Sequence, residues 1–170
     1  MNAELAAKLA ALQLVGFDVD GVFTDGSLYL SDDGSESKRF NTQDGYGIRR
    51  LLEAGVEVAV ISGRRSKAVE RRMAELGISH VVLGSTDKVA DFDALAERLD
   101  VHRDDCAFVG DDVPDLGLMR QVGVAIGVAN AHADIHGDCD WLTSRSGGRG
   151  AVREVCDAIL AARQDAGKAG

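Results

Sequence analysis

The segment Leu14-Val15-Gly16-Phe17-Asp18-Val19-Asp20-Gly21 runs an apolar strand straight into two carboxylates, followed by a glycine. A strand of that composition is expected to be buried, and its carboxyl end is expected to fall at the acids. Gly21 supplies the permissive backbone for a sharp turn there. Paired carboxylates at a strand end suit a hard cation, and one of them can serve as a nucleophile. Taken alone, Asp-x-Asp fits a strand followed by a solvated acidic turn equally well.

Apolar runs and amphipathic stretches alternate along the rest of the chain. Strands are expected over Leu14–Val19, Val56–Ile61, His80–Leu83, Cys106–Val109 and Val124–Val128, with a further short one at Trp141–Leu142. Helices are expected over Gly45–Ala54, Ser66–Leu76, Lys88–Leu99, Val113–Val122 and Ala151–Ala162, and a short Ala/Leu helix within Met1–Gln13. Such a βαβα order implies an α/β, three-layer, Rossmann-like fold built on a parallel sheet. One segment breaks the pattern. Ser27–Ser31 and Glu36–Phe40 flank the turn sequence Asp32-Asp33-Gly34, which reads as an inserted β-hairpin flap over about residues 27–41. Neither a repeat nor a Pro/Ser-rich linker divides the chain, so residues 1–170 are expected to form a single domain. The small and polar residues of the last stretch, about 161–170, read as a flexible tail.

Composition removes some classes of partner. Lys and Arg number 19 against 28 Asp and Glu, a net charge of −9. A field of that sign does not draw nucleic acid or anionic membranes, and it repels anionic substrates unless a local cation reverses it. There is no apolar run long enough for a membrane span. The N-terminus lacks a basic segment leading to a cleavage site, so a cytoplasmic protein is expected. Cys106, Cys139 and Cys156 are widely spaced in apolar contexts and are expected to be free thiols.

In an open parallel sheet, ligands bind beyond the carboxyl ends of the strands. The residues expected there are Asp18 and Asp20, then Ser62-Gly63-Arg64, then Gly110-Asp111-Asp112. Asp18, Asp111 and the backbone carbonyl of Asp20 can supply a Mg²⁺ site, with Asp112 and Asp115 supporting it from behind. Read individually, Gly-Asp-Asp also serves as a helix N-cap and Ser62 as a capping serine. Lys88 is expected to open a helix, a poor place for a cation against the dipole. An anion at the strand ends would account for it, although a solvated lysine is the plainer alternative.

These four segments, Asp18-Val-Asp20-Gly, Ser62-Gly, Lys88 and Gly110-Asp111-Asp112, occur in the order of the four motifs of the haloacid dehalogenase superfamily, and the chain resembles it. The resemblance implies that Asp18 attacks phosphorus and becomes an aspartyl phosphate. Asp20 would protonate the leaving alcohol and then deprotonate the hydrolytic water. Ser62 and Lys88 would hold the transferring phosphoryl group, with Mg²⁺ between it and Asp18.

Most members of that superfamily carry a cap domain. About forty residues separate Asp20 from Ser62, spent on the hairpin and one helix, and the Lys88–Asp111 interval holds one helix and one strand. No separate cap domain fits in either interval. The segments Asp20–Gly26, Lys38–Ile48 and Gly147–Glu154 resemble a capless branch that hydrolyses sugar-acid phosphates, chiefly 3-deoxy-D-manno-octulosonate 8-phosphate and also nine-carbon sialic-type acids. A non-catalytic phosphosugar-binding assembly domain is the alternative from a different class. The branch implies a homotetramer whose hairpins form a central barrel, with each active site at a subunit interface. Its substrate contacts fall on Arg64, and further on Thr24, Asp25, Lys67 and Arg149. Pro114 stands early in the fourth motif, where a first helical turn accommodates it.

Overall fold

The computed structural model describes residues 2–169. Four apolar segments, β1 (Leu14–Phe17), β4 (Glu57–Ser62), β6 (Cys106–Gly110) and β7 (Val124–Gly127), form the centre of a six-stranded sheet. Short β5 (His80–Leu83) and β8 (Trp141–Leu142) close its edges, in the order β5-β4-β1-β6-β7-β8. Every neighbouring pair is parallel. β1 and β6 are buried throughout, as expected of strands covered on both faces.

The chain steps one way from β1 to β4 and β5 and the other way from β6 to β8, so the sheet switches direction between β1 and β6. That is where an open α/β sheet leaves a crevice. The register makes the crevice specific. Phe17 lies level with Val60 and with Val109, so Asp18, Ser62 and Asp111 emerge beside one another at one edge.

The flanking helices are α1 (Ala3–Ala11), α2 (Thr42–Glu53), α3 (Lys67–Leu76), α4 (Lys88–Leu99), α5 (Leu116–Met119) and α6 (Ala151–Ala169). α6 packs against α1 and α2, while α4 packs against α5. Asp44 ties α2 to the start of α6, where its Oδ1 accepts the backbone N–H of Arg153 at 2.8 Å. Inside the core, the Phe92 and Phe108 rings meet edge to face at 6.3 Å. The hairpin stands apart from the main sheet as β2 (Tyr29–Leu30) and β3 (Glu36–Ser37), paired antiparallel with Tyr29 opposite Ser37. No separate cap domain is present among the described residues. Cys106, Cys139 and Cys156 are all free thiols.

Three expectations need correction. α2 begins at Thr42 rather than Gly45, because Asn41 caps it by accepting the Gln43 N–H. The helix expected over Val113–Val122 is a 3-10 turn at Val113–Asp115 followed by one short turn of α-helix. There Asp112 and Asp115 cap the chain reciprocally around Pro114, leaving little length to propagate. The closing helix expected to end at Ala162 continues through Ala169, and Gly170 lies outside the described residues. Ala162 is buried, and Arg163 Nη1 donates to the Leu12 carbonyl at 2.8 Å, which anchors the extra turns.

Candidate active site

Asp18 extends the ladder by one bond, its N–H donating to Val109 O at 2.9 Å, and then the chain turns away. Lys88, the first residue of α4, reaches across with Nζ 2.9 Å from Asp18 Oδ1 and 2.7 Å from Asp115 Oδ1. The other Asp115 oxygen accepts the backbone N–H groups of Asp111 (3.0 Å) and Asp112 (3.4 Å). Asp115 is thus the hub that orients both Lys88 and the Gly110-Asp111-Asp112 turn. The unfavourable placement of Lys88 against the helix dipole is offset by two buried carboxylates.

Carboxylate oxygens of Asp18, Asp111 and Asp115 all lie within 4.8 Å of one another. Burial, then the charge of Asp115, outweighs Lys88 and pushes Asp18 up to about 6. Burial, then Asp18, Asp115 and Asp112, pushes Asp111 up to about 7. Burial alone would lower the Lys88 pKa, but Asp18 and Asp115 together raise it. One ammonium therefore leaves this group of acids undercompensated, which is the electrostatic condition for a hard divalent cation. Asp115 already spends its oxygens on Lys88 and two N–H groups. Of the three grouped acids, Asp18 and Asp111 are therefore the ones less committed to other partners.

Two glycines permit this geometry. Gly21 has φ +90°, and a Cβ there would overlap the Asp111 carboxylate. Gly147 presses on the same loop, where a Cβ would collide with the Gly21 carbonyl, and the Gly148 N–H donates to Val22 O at 2.9 Å. The Gly147–Gly150 segment therefore buttresses the acidic turn.

A cavity of about 340 Å³ opens over these groups, lined by Asp18, Asp20, Ser62, Lys88, Asp111 and Asp115 among others. Gly63, Arg64, Asp112 and Pro114 also border it. Ser62 ends β4, buried, and its Oγ accepts the Arg64 N–H at 3.3 Å. The N-cap position of the next helix is taken by Ser66, without a side-chain capping bond.

The remaining expected contacts lie elsewhere in the single chain. Thr24 is 2% exposed, and its hydroxyl accepts the N–H groups of Gly21 and Gly26 and donates to Val19 O, so it braces the loop instead of facing the cavity. Asp25 accepts the Ser27 N–H and pairs with Arg39 at 3.1 Å. Arg149 is exposed, 3.8 Å from Asp25, and borders a different cleft with Arg39 and Phe40. Lys67 is an exposed residue opening α3, outside the cavity lining. One participant was not singled out from the sequence. Lys38, whose side chain is 1% exposed, is ion-paired with Asp20. Its spacing two residues from Glu36 puts both on one face of the hairpin, which is the sequence signal that could have marked it.

Fold and site together are those of a Mg²⁺-dependent phosphomonoester hydrolase. Residues 47–123 match the family described as haloacid dehalogenase-like hydrolase. The chain is 45% identical over 163 residues to the 3-deoxy-D-manno-octulosonate 8-phosphate phosphatase KdsC of Escherichia coli strain K12, covering 96% of this chain and 87% of that one. The crystal structure of the Yersinia pestis 3-deoxy-D-manno-octulosonate 8-phosphate phosphatase superposes with a TM-score of 0.95 at 41% identity, over 96% of this chain and 89% of that one. The Moraxella catarrhalis enzyme, solved with a magnesium ion, a phosphate ion and a KDO molecule, gives 0.94 at 40% identity, over 99% and 98%. The chain belongs to the haloacid dehalogenase-like hydrolases, in the family of 3-deoxy-D-manno-octulosonate 8-phosphate phosphatases.

Proposed function

We propose that this protein hydrolyses 3-deoxy-D-manno-octulosonate 8-phosphate to the free sugar acid and inorganic phosphate. The observation that carries the reading is the strand order β4-β1-β6, which sets Ser62, Asp18 and Asp111 side by side around Lys88. Asp18 is the nucleophile: its carboxylate oxygen bonds to phosphorus as the ester oxygen leaves with a proton from Asp20. Asp20 then takes a proton from the water that cleaves the aspartyl phosphate, which restores both groups. Ser62 and Lys88 hold the phosphoryl oxygens, and Lys88 offsets the repulsion between Asp18 and an incoming anion. Mg²⁺, held by Asp18, Asp111 and the Asp20 carbonyl, supplies charge neutralisation of the phosphoryl oxygens.

We further propose that the whole chain acts as one domain in a homotetramer and that the active site is completed across a subunit interface. The hairpin presents Leu28, Tyr29 and Leu30 at 46%, 49% and 67% exposure, an apolar surface that a second copy would cover. Arg149, Asp25 and Lys67, remote from the cavity in one chain, would then face the site of a neighbour. Among the described residues no helix is long and apolar enough to cross a membrane. The free thiols support a cytoplasmic location.

The test is phosphate release with Mg²⁺ from eight-carbon and nine-carbon sugar-acid phosphates and from hexose phosphates, with Asp18→Asn as control. Preference for the eight-carbon ester, lost in the variant, is expected. Preference for the nine-carbon ester would move the substrate assignment, and no turnover of any ester would overturn the enzyme reading. Native mass of the protein and of Leu30→Asp tests the tetramer; a wild-type monomer would refute it.

A further inference from the structure

The second arm of the hairpin, β3 and the residue after it, brings two charges of opposite sign against Asp20 and Arg64 at the rim of the cavity. Lys38 Nζ contacts Asp20 Oδ1 and lies 3.5 Å from Glu36 Oε1. Glu36 Oε2 accepts Arg64 Nη2 at 2.6 Å, and Arg64 Nε lies 3.4 Å from Asp20 Oδ2. The four residues close a ring of alternating charge: Asp20, Lys38, Glu36, Arg64. Three separate segments contribute to it: the turn after β1, the hairpin, and the turn after β4.

The ring treats its two cations differently. The Lys38 side chain is 1% exposed, whereas that of Arg64 is 49% exposed. A buried ammonium needs carboxylates around it, and Asp20 and Glu36 provide them. Arg64 is held by the Nη2 hydrogen bond to Glu36, with Nε in ion-pair range of Asp20, and among the described residues Nη1 makes no hydrogen bond. A guanidinium fixed along one edge presents its remaining N–H donors in a set direction, ready for a second planar anion. The charge count also matters. Without Lys38, the carboxylates of Asp20 and Glu36 would both bear on Arg64 and cancel its attraction for a further anion. With Lys38 the ring is neutral while Asp20 is ionised and positive while Asp20 carries the proton for the leaving group, and in both states Arg64 keeps that capacity.

We propose that Glu36 and Lys38 are positioning residues that hold Arg64 for the carboxylate of a sugar-acid substrate, so that the hairpin of the same chain sets selectivity for acidic phosphate esters. The proposal rests on the sugar-acid reading above. It places selectivity in residues that need not touch the substrate. Glu36 lies in β3 and Lys38 just past its end, two residues apart in extended chain, so any change that shifts the strand's register by one residue turns both away from the site.

The experiment measures kcat and KM of the full-length enzyme with Mg²⁺ on 3-deoxy-D-manno-octulosonate 8-phosphate and on p-nitrophenyl phosphate, which has no carboxylate. The variants are Glu36→Gln, Arg64→Met and the double variant, each checked by thermal melting. Glu36→Gln is expected to lower the kcat/KM preference for the sugar acid about tenfold, mainly through KM, as loss of one charge-assisted contact on Arg64 would. In the Arg64→Met background the same change is expected to alter that preference less than about twofold, because coupled residues are not additive. Lys38→Gln, a second probe of the same ring, is expected to lower the preference in the same direction. Equal losses on both esters, or an undiminished effect of Glu36→Gln without Arg64, would overturn the proposal and leave the substrate reading intact. A wild-type enzyme with no preference for the sugar acid would overturn both.

Discussion

The ammonium of Lys88 lies 2.9 Å from Oδ1 of Asp18, and the same nitrogen is 2.7 Å from Oδ1 of Asp115. One buried cation thus couples the acid at the end of β1 to the acid that shapes the turn after β6. Asp18→Asn is expected to retain the fold and lose turnover by about a thousandfold or more. Lys88→Met leaves Asp18 and Asp115 buried with no cation between them, at a cost of about 3 kcal/mol. Chemical denaturation with and without Mg²⁺ measures that cost, and the metal is expected to recover part of it. A Lys88→Met protein as stable as wild type would refute the coupling.

Proton competition at the acidic cluster gives a second expectation. In the folded, metal-free protein Asp18 is raised to about 6 and Asp111 to about 7, above ordinary carboxylates. The folded state therefore binds more protons than the unfolded one between about pH 4 and 7. The contribution of these two groups to metal-free stability is present at low pH and is lost as pH rises through those values. Mg²⁺ must displace the same protons, so its affinity weakens below about pH 7 and falls more steeply below about pH 6. The increment in melting temperature on adding Mg²⁺ is expected to grow from pH 5 to pH 8 and to level off at the top. A constant increment across that range would contradict the assignment of Asp18 and Asp111 as ligands.

Gly21→Ala tests the turn itself. The backbone there is left-handed, costing any other residue about 1–3 kcal/mol, and the added methyl would push on the Asp111 carboxylate. Lower thermal stability and weaker Mg²⁺ binding by titration calorimetry are expected together. Loss of stability with unchanged Mg²⁺ binding would show that Asp111 does not hold the metal.

Ending the chain after Leu160 removes the last two and a half turns of α6. Buried Ala162 and the Arg163 bond to the Leu12 carbonyl go with them. A hydrogen bond from a charged donor is worth about 1.5–3 kcal/mol, which for a domain of this size lowers the melting temperature by roughly 5 °C. An unchanged melting curve would show that this part of the helix does not brace α1.

The strands and most helices were legible because burial imposes period and composition locally. Val58–Ile61 and Cys106–Val109 are apolar on both faces, and Phe92, Leu95 and Leu99 repeat at helical spacing. The helix after Asp112 was not legible, because reciprocal capping around Pro114 spends those residues on a 3-10 turn. The end of α6 was placed short at Ala162 because small and polar side chains carry no period of their own, and the helix extends where α1 holds a few of them. The bracing role of the Thr24 hydroxyl was not legible, because its partners Gly21 and Gly26 meet it only when the loop closes.

The sequence alone placed Asp18, Asp20, Ser62, Lys88 and Asp111 at strand and helix ends, where local pattern locates them, and their order along the chain carried the resemblance. What only the tertiary structure decided was the pairing among them. The switch in strand direction between β1 and β6 brings Asp18 beside Asp111, and α4 turns Lys88 onto both Asp18 and Asp115. The hairpin folds back to set Lys38 on Asp20 and Glu36 on Arg64. Charge interactions depend on distance and burial, neither of which is a property of sequence spacing, so these couplings come into being only when the sheet closes.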